Sequence, residues 1–197
     1  MHTGKRIVDF TQRRRNEMAD FSVVYPWTLA FEDLTPPRYE PNLDPTKTDP
    51  GAQALSGINS AAWPEDFAAI VAIPQAQRGP AVQQFYEKRY WNEWYAQLAS
   101  DEVAKRVFDM GFNTYPTTAV KLLQMAINNF AEEIAPVLTR PALISVDGVW
   151  GPQTIYAANS YHDLLLVSAF QQLRVAHYKK YDANNKALPQ LIARALR

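Results

Sequence analysis

Apolar residues recur along this chain mainly at helical spacing, and sustained alternation of apolar and polar positions is scarce. The clearest amphipathic stretch is 117–130, where Ala119, Leu122, Leu123, Ala126, Ile127 and Phe130 fall on one helical face. Residues 5–25 read as a first helix with an irregular stripe of Ile7, Phe10, Met18 and Phe21, interrupted by Arg13-Arg14-Arg15. That triplet reads as a solvated face rather than a phosphate site. Pro26 then starts or bends a short helix through Trp27, Leu29, Ala30 and Phe31 that ends near Glu32. From Pro80 onward, Phe85, Tyr86, Tyr90, Trp91, Trp94, Tyr95 and Leu98 lie in a helical window. Ser100-Asp101-Glu102-Val103 has the form of an N-cap with acids in the first turn, and Gly111 with Asn113–Pro116 breaks the helix that follows. After a loop with Pro136 and Pro141, Gly151-Pro152-Gln153-Thr154 opens another helix. A last helix covers about 161–182, with Leu166, Phe170, Leu173 and His177 on one face. The fold class is mainly α.

One stretch departs from this pattern. Residues 34–64 hold Pro36, Pro37, Pro41, Pro45, Pro50 and Pro64, which excludes regular helix. They form either a long functional loop or a short irregular β element, because an ordered loop of this length is uncommon without a task.

Composition narrows the function classes. At 197 residues, 47% of them apolar, the chain can bury a sizeable core in one domain or in two that share it. The formal net charge is zero, which argues against nucleic acid held by a broad basic surface. Cysteine is absent, so disulfides, thiolate metal sites and thiol nucleophiles are excluded. His2, His162 and His177 are too scattered for a zinc hydrolase pattern, so no metal or cofactor is expected. No run approaches the length of a membrane span, and Met1–Arg6 is not followed by the apolar run of a signal peptide.

The candidate chemistry starts at Glu32. A carboxylate closing an apolar stretch, next to Trp27 and Phe31 and before a Pro/Gly loop with further acids, suits general-acid work on a glycosidic bond. The plainer reading is a helix-end residue bonded to a nearby backbone amide. Tyr90, Trp91 and Trp94 either stack on sugar faces or fill the core; Trp91 reads as core, and Tyr90 stays open for a cleft.

The order of elements resembles the glycoside hydrolase family 108 lysozymes, muramidases of the secretion-activator type with a C-terminal peptidoglycan-binding region. The residues that carry the resemblance are Glu32, Asp49-Pro50-Gly51, Gly57-Ile58, Tyr90-Trp91, Phe108-Asp109 with Asn113, Leu123-Gln124 with Asn128, and Val146–Thr154. The resemblance covers about residues 21–182. It implies a lysozyme-like helical fold and cleavage of the β-1,4 link between N-acetylmuramic acid and N-acetylglucosamine. Glu32 matches the acid of the family's Glu-Gly-Gly-Tyr, but Asp33 and Leu34 replace the two glycines. In the family's Asp-x-Gly-Gly-x-Thr-x-x-Gly-Ile, Asp49, Gly51, Gly57 and Ile58 match, while Ala52 and Ala54 replace glycine and threonine.

By this resemblance Glu32 is the acid and Asp49 the partner carboxylate, ahead of Asp33 and Asp44; as a turn residue, Asp49 would instead cap its own loop. Ser56 stands two residues from Ala54 as a substitute hydroxyl for substrate. Asn113 belongs to an Asp…Asn pair lining the family's cleft, where its amide would bond an N-acetyl group; the alternative is a helix C-cap. Asp147-Gly148 and Thr154 read as a structural turn before a glycan contact. The expected organisation is an extension over 1–20, a lysozyme-like catalytic region over 21–112 and a helical peptidoglycan-binding region over 113–190. The implied partner is peptidoglycan. A protein made in the cytoplasm without a signal peptide would reach the wall through a holin, a secretion system or a phage particle. The departures around Glu32 motivate the alternative, a catalytically degenerate peptidoglycan-binding or phage-particle structural protein.

Overall fold

The computed structural model describes residues 18–43, 52–134, 143–181 and 187–197. Expectations resting on Ile7, Phe10, Arg13–Arg15, Asp44, Asp49, Pro50, Gly51, Pro136 and Pro141 lie outside the described residues. Helix α1 runs Phe21–Glu32, capped by the Asp20 carboxylate, which accepts from the Ser22 N–H at 2.8 Å. Of the two readings of Pro26, the start of the helix is excluded, because Pro26 lies inside it. A proline there removes one backbone bond, but the buried face of Phe21, Val24, Tyr25, Thr28 and Leu29 continues past it on both sides, so packing outweighs propensity.

The proline-rich stretch contains a small antiparallel sheet of β1 (Asn42–Leu43), β2 (Gln53–Leu55) and β3 (Ile58–Asn59). Asn42 pairs with Ala54, and Leu55 with Ile58. Ser56 and Gly57, which join β2 to β3, both have positive φ, 47° and 77°, the pattern of a tight two-residue hairpin.

Helices α2 (Pro64–Val71), α3 (Gly79–Arg89), α4 (Asp101–Asn113), α5 (Pro116–Ile134), α6 (Pro152–Ser160), α7 (Asp163–Tyr181) and α8 (Leu188–Ala195) follow. The aromatic window does not form one helix. Helix α3 ends at Arg89, and the Asn92 side chain accepts from the Trp94 N–H and starts a separate short turn at Tyr95–Gln97. The Ser100 hydroxyl caps α4 at the Val103 N–H, as its position predicts. The break falls later than expected: Gly111 is inside α4, and Thr114 caps it.

Helix α4 is buried on most of its surface and packs against α1, α5 and α7. One hydrophobic cluster runs from Phe21 through Phe108 and Leu123 to Phe170 and Ala195, so the core crosses the expected boundary at residue 112. On α7 the core face is turned by one residue from the expected one: Leu166, Phe170, Arg174 and Tyr178 are buried, while Leu173 and His177 are half-buried. Helix α8 lies beyond the last helix expected from sequence, although Leu188, Leu191, Ile192 and Ala195 recur at helical spacing around Pro189. It packs on α7 and returns the chain to the end of α1. Among the described residues, no helix is long and apolar enough to cross a membrane.

Candidate active site

Glu32 is the last residue of α1, and the adjoining Asp33 leaves the helix in extended backbone. Its side chain is 16% exposed, and its two oxygens face different neighbours. Oε1 lies 2.6 Å from Nη2 of Arg194 on α8. Oε2 is turned toward Gly57 in the β2–β3 hairpin, where a Cβ would sit 2.8 Å from it. The same Cβ would meet the Phe112 ring at 2.7 Å, and φ at Gly57 is 77°, so only glycine fits the turn against Glu32.

The surroundings of Glu32 differ from the apolar setting expected of Trp27 and Phe31. Those two rings pack edge to face, but each also carries guanidinium groups: Arg106 lies over Trp27, and Arg194 and Arg197 both lie over Phe31. The stripe that looked apolar in sequence is therefore the floor of a cationic clamp.

Arg194 does not act on Glu32 alone. Its Nε and Nη2 also donate to Asp109 on α4, with a shortest contact of 2.6 Å. Asp109 in turn accepts from Arg174 of α7 at 2.5 Å, and both of these side chains are 0% exposed. Two carboxylates and two guanidiniums thus form a formally neutral chain, Glu32–Arg194–Asp109–Arg174, which makes burial of four charges tolerable. Desolvation opposes the Arg194 charge, yet the Asp109 and Glu32 carboxylates outweigh it and hold the guanidinium more firmly protonated than usual. Burial, followed by the negative charge of Glu32, pushes the Tyr86 phenol well above its ordinary range. The resemblance suggests Asp109 as a cleft-lining acid; its carboxylate is instead buried and consumed by two arginines.

Beside the hairpin, Asp33 organises the loop that follows α1. Its carboxylate accepts from the backbone N–H groups of Leu34, Arg38 and Tyr39 and from the Ser56 hydroxyl at 2.6 Å. Burial works against the Asp33 charge, but these donors outweigh it and hold the carboxyl below its usual value. The residue that replaces a family glycine is thus a structural anchor. The same bond corrects the expectation for Ser56: the residue is buried, its hydroxyl is given to Asp33 and its carbonyl accepts from Tyr86. The hydroxyl is therefore turned into the turn rather than toward a substrate.

Tyr90 is half-buried at the end of α3, against Phe112, Trp63 and Phe85, where burial, together with the Glu32 charge, pushes its phenol above the ordinary range. Trp91 packs among Phe21, Tyr95 and Phe108, in line with its reading as core. Asn113 lies one turn beyond Asp109 on α4 and is the last helical residue rather than the cap. Its amide nitrogen donates to the Tyr178 hydroxyl at 2.8 Å. With Thr114, Tyr115, Lys121, His177 and Tyr178 it lines a cavity of about 1020 Å³. Asp49 lies outside the described residues. Among the described residues, no group of three or more His, Asp or Glu side chains is placed to hold a metal ion.

The second half of the resemblance is organised by Gln124 on α5. Its buried amide donates to the Asp147 carboxylate, the Val149 carbonyl and the Thr154 hydroxyl, and its oxygen accepts from the Gly148 N–H. The Asp147 carboxylate also accepts from the Val149 N–H. Asn128, one turn on, exchanges two bonds with the Ile144 backbone. Asp147-Gly148 and Thr154 are thus tied to α5 as a structural turn.

Arg194 and Arg174 are absent from the sequence reading. A signal existed for Arg174, which sits at four-residue spacing among Leu166, Phe170 and Tyr178; an arginine on an apolar stripe requires a buried partner.

Comparison with known proteins adds to this geometry. Residues 38–114 match the family model described as glycosyl hydrolase 108. That span contains the hairpin, Tyr90, Asp109 and Asn113; Glu32 lies six residues before it. No curated protein matches the chain. Among solved structures, that of Brucella abortus SagA superposes with a TM-score of 0.55 at 19% identity, covering 89% of this chain and 93% of SagA. At that identity the likeness establishes the shared fold alone. Residues 38–114 are thus similar to the glycosyl hydrolase 108 family, and they lie in a mainly α fold shared with SagA.

Proposed function

We propose that this protein is a peptidoglycan hydrolase of N-acetylmuramidase type, cleaving the β-1,4 link between N-acetylmuramic acid and N-acetylglucosamine with Glu32 as general acid. One observation carries the reading. Glu32 ends α1 with Oε2 turned onto the Gly57 hairpin of the region similar to glycosyl hydrolase 108, while its other oxygen is held from behind by Arg194. In this reading a proton on Oε2 passes to the leaving glycosidic oxygen as the C–O bond breaks. A second carboxylate, for which Asp49 is the candidate, activates water or stabilises the oxocarbenium-like transition state. Tyr90 is proposed to border the sugar path and Asn113 to present its amide oxygen to an N-acetyl group. The protein would act on the wall after export, by a holin, a secretion route or a phage-like particle.

A second reading is favoured by the ion pair itself. A guanidinium 2.6 Å from Glu32 stabilises the carboxylate, which accepts protons rather than donating them. A chain arrested in that state would bind peptidoglycan without cutting it. Analysis of digested peptidoglycan decides between the two. Muramidase action releases fragments with new reducing N-acetylmuramic acid ends, and Glu32→Gln and Asp49→Asn abolish or strongly reduce their release. Wild type that sediments with several wall types and releases no fragments from any of them establishes the binding reading.

A further inference from the structure

Helix α8 supplies a residue to the site from the far end of the chain. Arg194 is 162 positions from Glu32 in sequence, yet one Nη2 atom stands 2.6 Å from both Glu32 Oε1 and Asp109 Oδ1. Asp109 is itself fixed by Arg174, so the guanidinium is anchored on a buried base and has little freedom to rotate. Its plane also covers the Phe31 ring, the residue before Glu32. Next to it, the Arg197 carbonyl accepts from Arg106, which is bound to Glu102, so the end of α8 is tied to α4 at a second point.

This geometry has a chemical consequence. A carboxyl group has two equivalent oxygens, and a proton placed on the wrong one points away from the substrate. A guanidinium nitrogen 2.6 Å from Oε1 removes that equivalence, because a proton on Oε1 would meet the cation. We propose that Arg194 is the positioning residue for Glu32: it fixes the carboxyl orientation and places the acidic proton on Oε2, the oxygen facing the Gly57 hairpin. The proposal rests on the reading of Glu32 as the acid. It makes α8 part of the active site, with Asp109 and Arg174 as its support. A lysine would keep the charge and lose the fork that spans Glu32 and Asp109 together.

Among the described residues, the charged and titratable groups around Glu32 include Arg194 on α8, Asp109 on α4, Arg174 on α7, Arg197 over Phe31, the Tyr86 phenol on α3, the Tyr90 phenol just past it, and the neighbouring Asp33. Removing Arg194 takes away the cation and leaves Asp109 facing the site. Glu32 then keeps its proton to higher pH, and the alkaline limb of the activity profile moves up.

The test is steady-state hydrolysis of solubilised peptidoglycan across pH with the full chain, for wild type, Glu32→Gln, Arg194→Met and Arg194→Lys, each checked for folding by circular dichroism. For Arg194→Met we expect kcat to fall about 100-fold, KM to stay within about twofold, and the alkaline limb to move to higher pH. Arg194→Lys should recover part of kcat and return the limb toward its wild-type position. Wild-type kcat and an unmoved limb in Arg194→Met overturn the proposal, as does a loss confined to KM. If Arg194→Met does not fold, Arg194→Lys carries the test: about a tenfold fall in kcat at constant KM supports the proposal, and wild-type kinetics overturn it. Full activity in Glu32→Gln, or a wild type that cuts nothing, removes the acid reading and this proposal with it. Failure of the Arg194 proposal alone is recognised by an active wild type, an inactive Glu32→Gln and an Arg194→Met that behaves as wild type.

Discussion

Two buried polar networks hold this molecule together, and they are built from opposite materials. Around Gln124, one neutral amide satisfies a turn thirty residues away at most, with four bonds to Asp147, Gly148, Val149 and Thr154. Around Glu32, four charged side chains from α1, α4, α7 and α8 converge from positions 32, 109, 174 and 194. The first network closes a turn at little desolvation cost, because Asp147, its charged member, is exposed. The second holds two acids and two arginines out of water, an arrangement that stabilises little compared with apolar packing but collapses when one member is removed. A fold seeking stability alone has no need of the second arrangement; a site that must hold one carboxyl group in one orientation does.

That contrast can be broken most forcefully at its ionic centre. Asp109→Ala leaves Arg174 buried without its carboxylate and should lower unfolding free energy by about 3–5 kcal/mol, read by urea denaturation. A loss below about 1 kcal/mol would mean that the charges are not coupled as described. Gly57→Ala comes next. Its positive φ and the collision with Phe112 and Glu32 predict a loss of about 3 kcal/mol, together with impaired activity because Oε2 is displaced. Gln124→Ala sharpens the comparison from the neutral side, with a loss of about 2 kcal/mol in stability and an unchanged kcat at temperatures where the variant stays folded. A fall in kcat there would merge the two networks into one functional unit.

The smallest effect is a pH dependence at Asp33. Its folded carboxyl sits below the ordinary value, so the stability it contributes is present above its unfolded pKa of about 4 and is lost as pH falls through the lower folded value. The stability gap between wild type and Asp33→Asn should therefore be widest near neutrality and close below about pH 4. A gap that widens on acidification would reverse the assignment. Because the Ser56 hydroxyl is one of the donors, Ser56→Ala should weaken the same dependence in the same direction.

Much of the scaffold was legible in sequence because its signals are local. The Ser100 cap, the amphipathic run on α5 and the proline opening of α6 each act within a few residues. Glu32 was legible as the end of an apolar helix. Its neighbours were not, because Trp27 and Phe31 look apolar in sequence and meet arginines only when α4 and α8 pack. Pro26 left two readings open for a related reason: propensity is local, and the buried face that carries the helix past it is not. Arg174 and Arg194 are brought inside only by the turn of α7 and the return of α8, which no local pattern around Arg194 shows. Ser56 looked available because nothing in a string of residues shows that Asp33, twenty-three positions earlier, already holds its hydroxyl.

The central claim is that Glu32 delivers the proton that breaks the glycan chain, and it is tested most directly by turbidity loss of purified peptidoglycan with wild type and Glu32→Gln at equal concentration and equal melting temperature. The account predicts clearing by the wild type and a rate lower by at least about 100-fold for Glu32→Gln. Equal rates for the two proteins would contradict it.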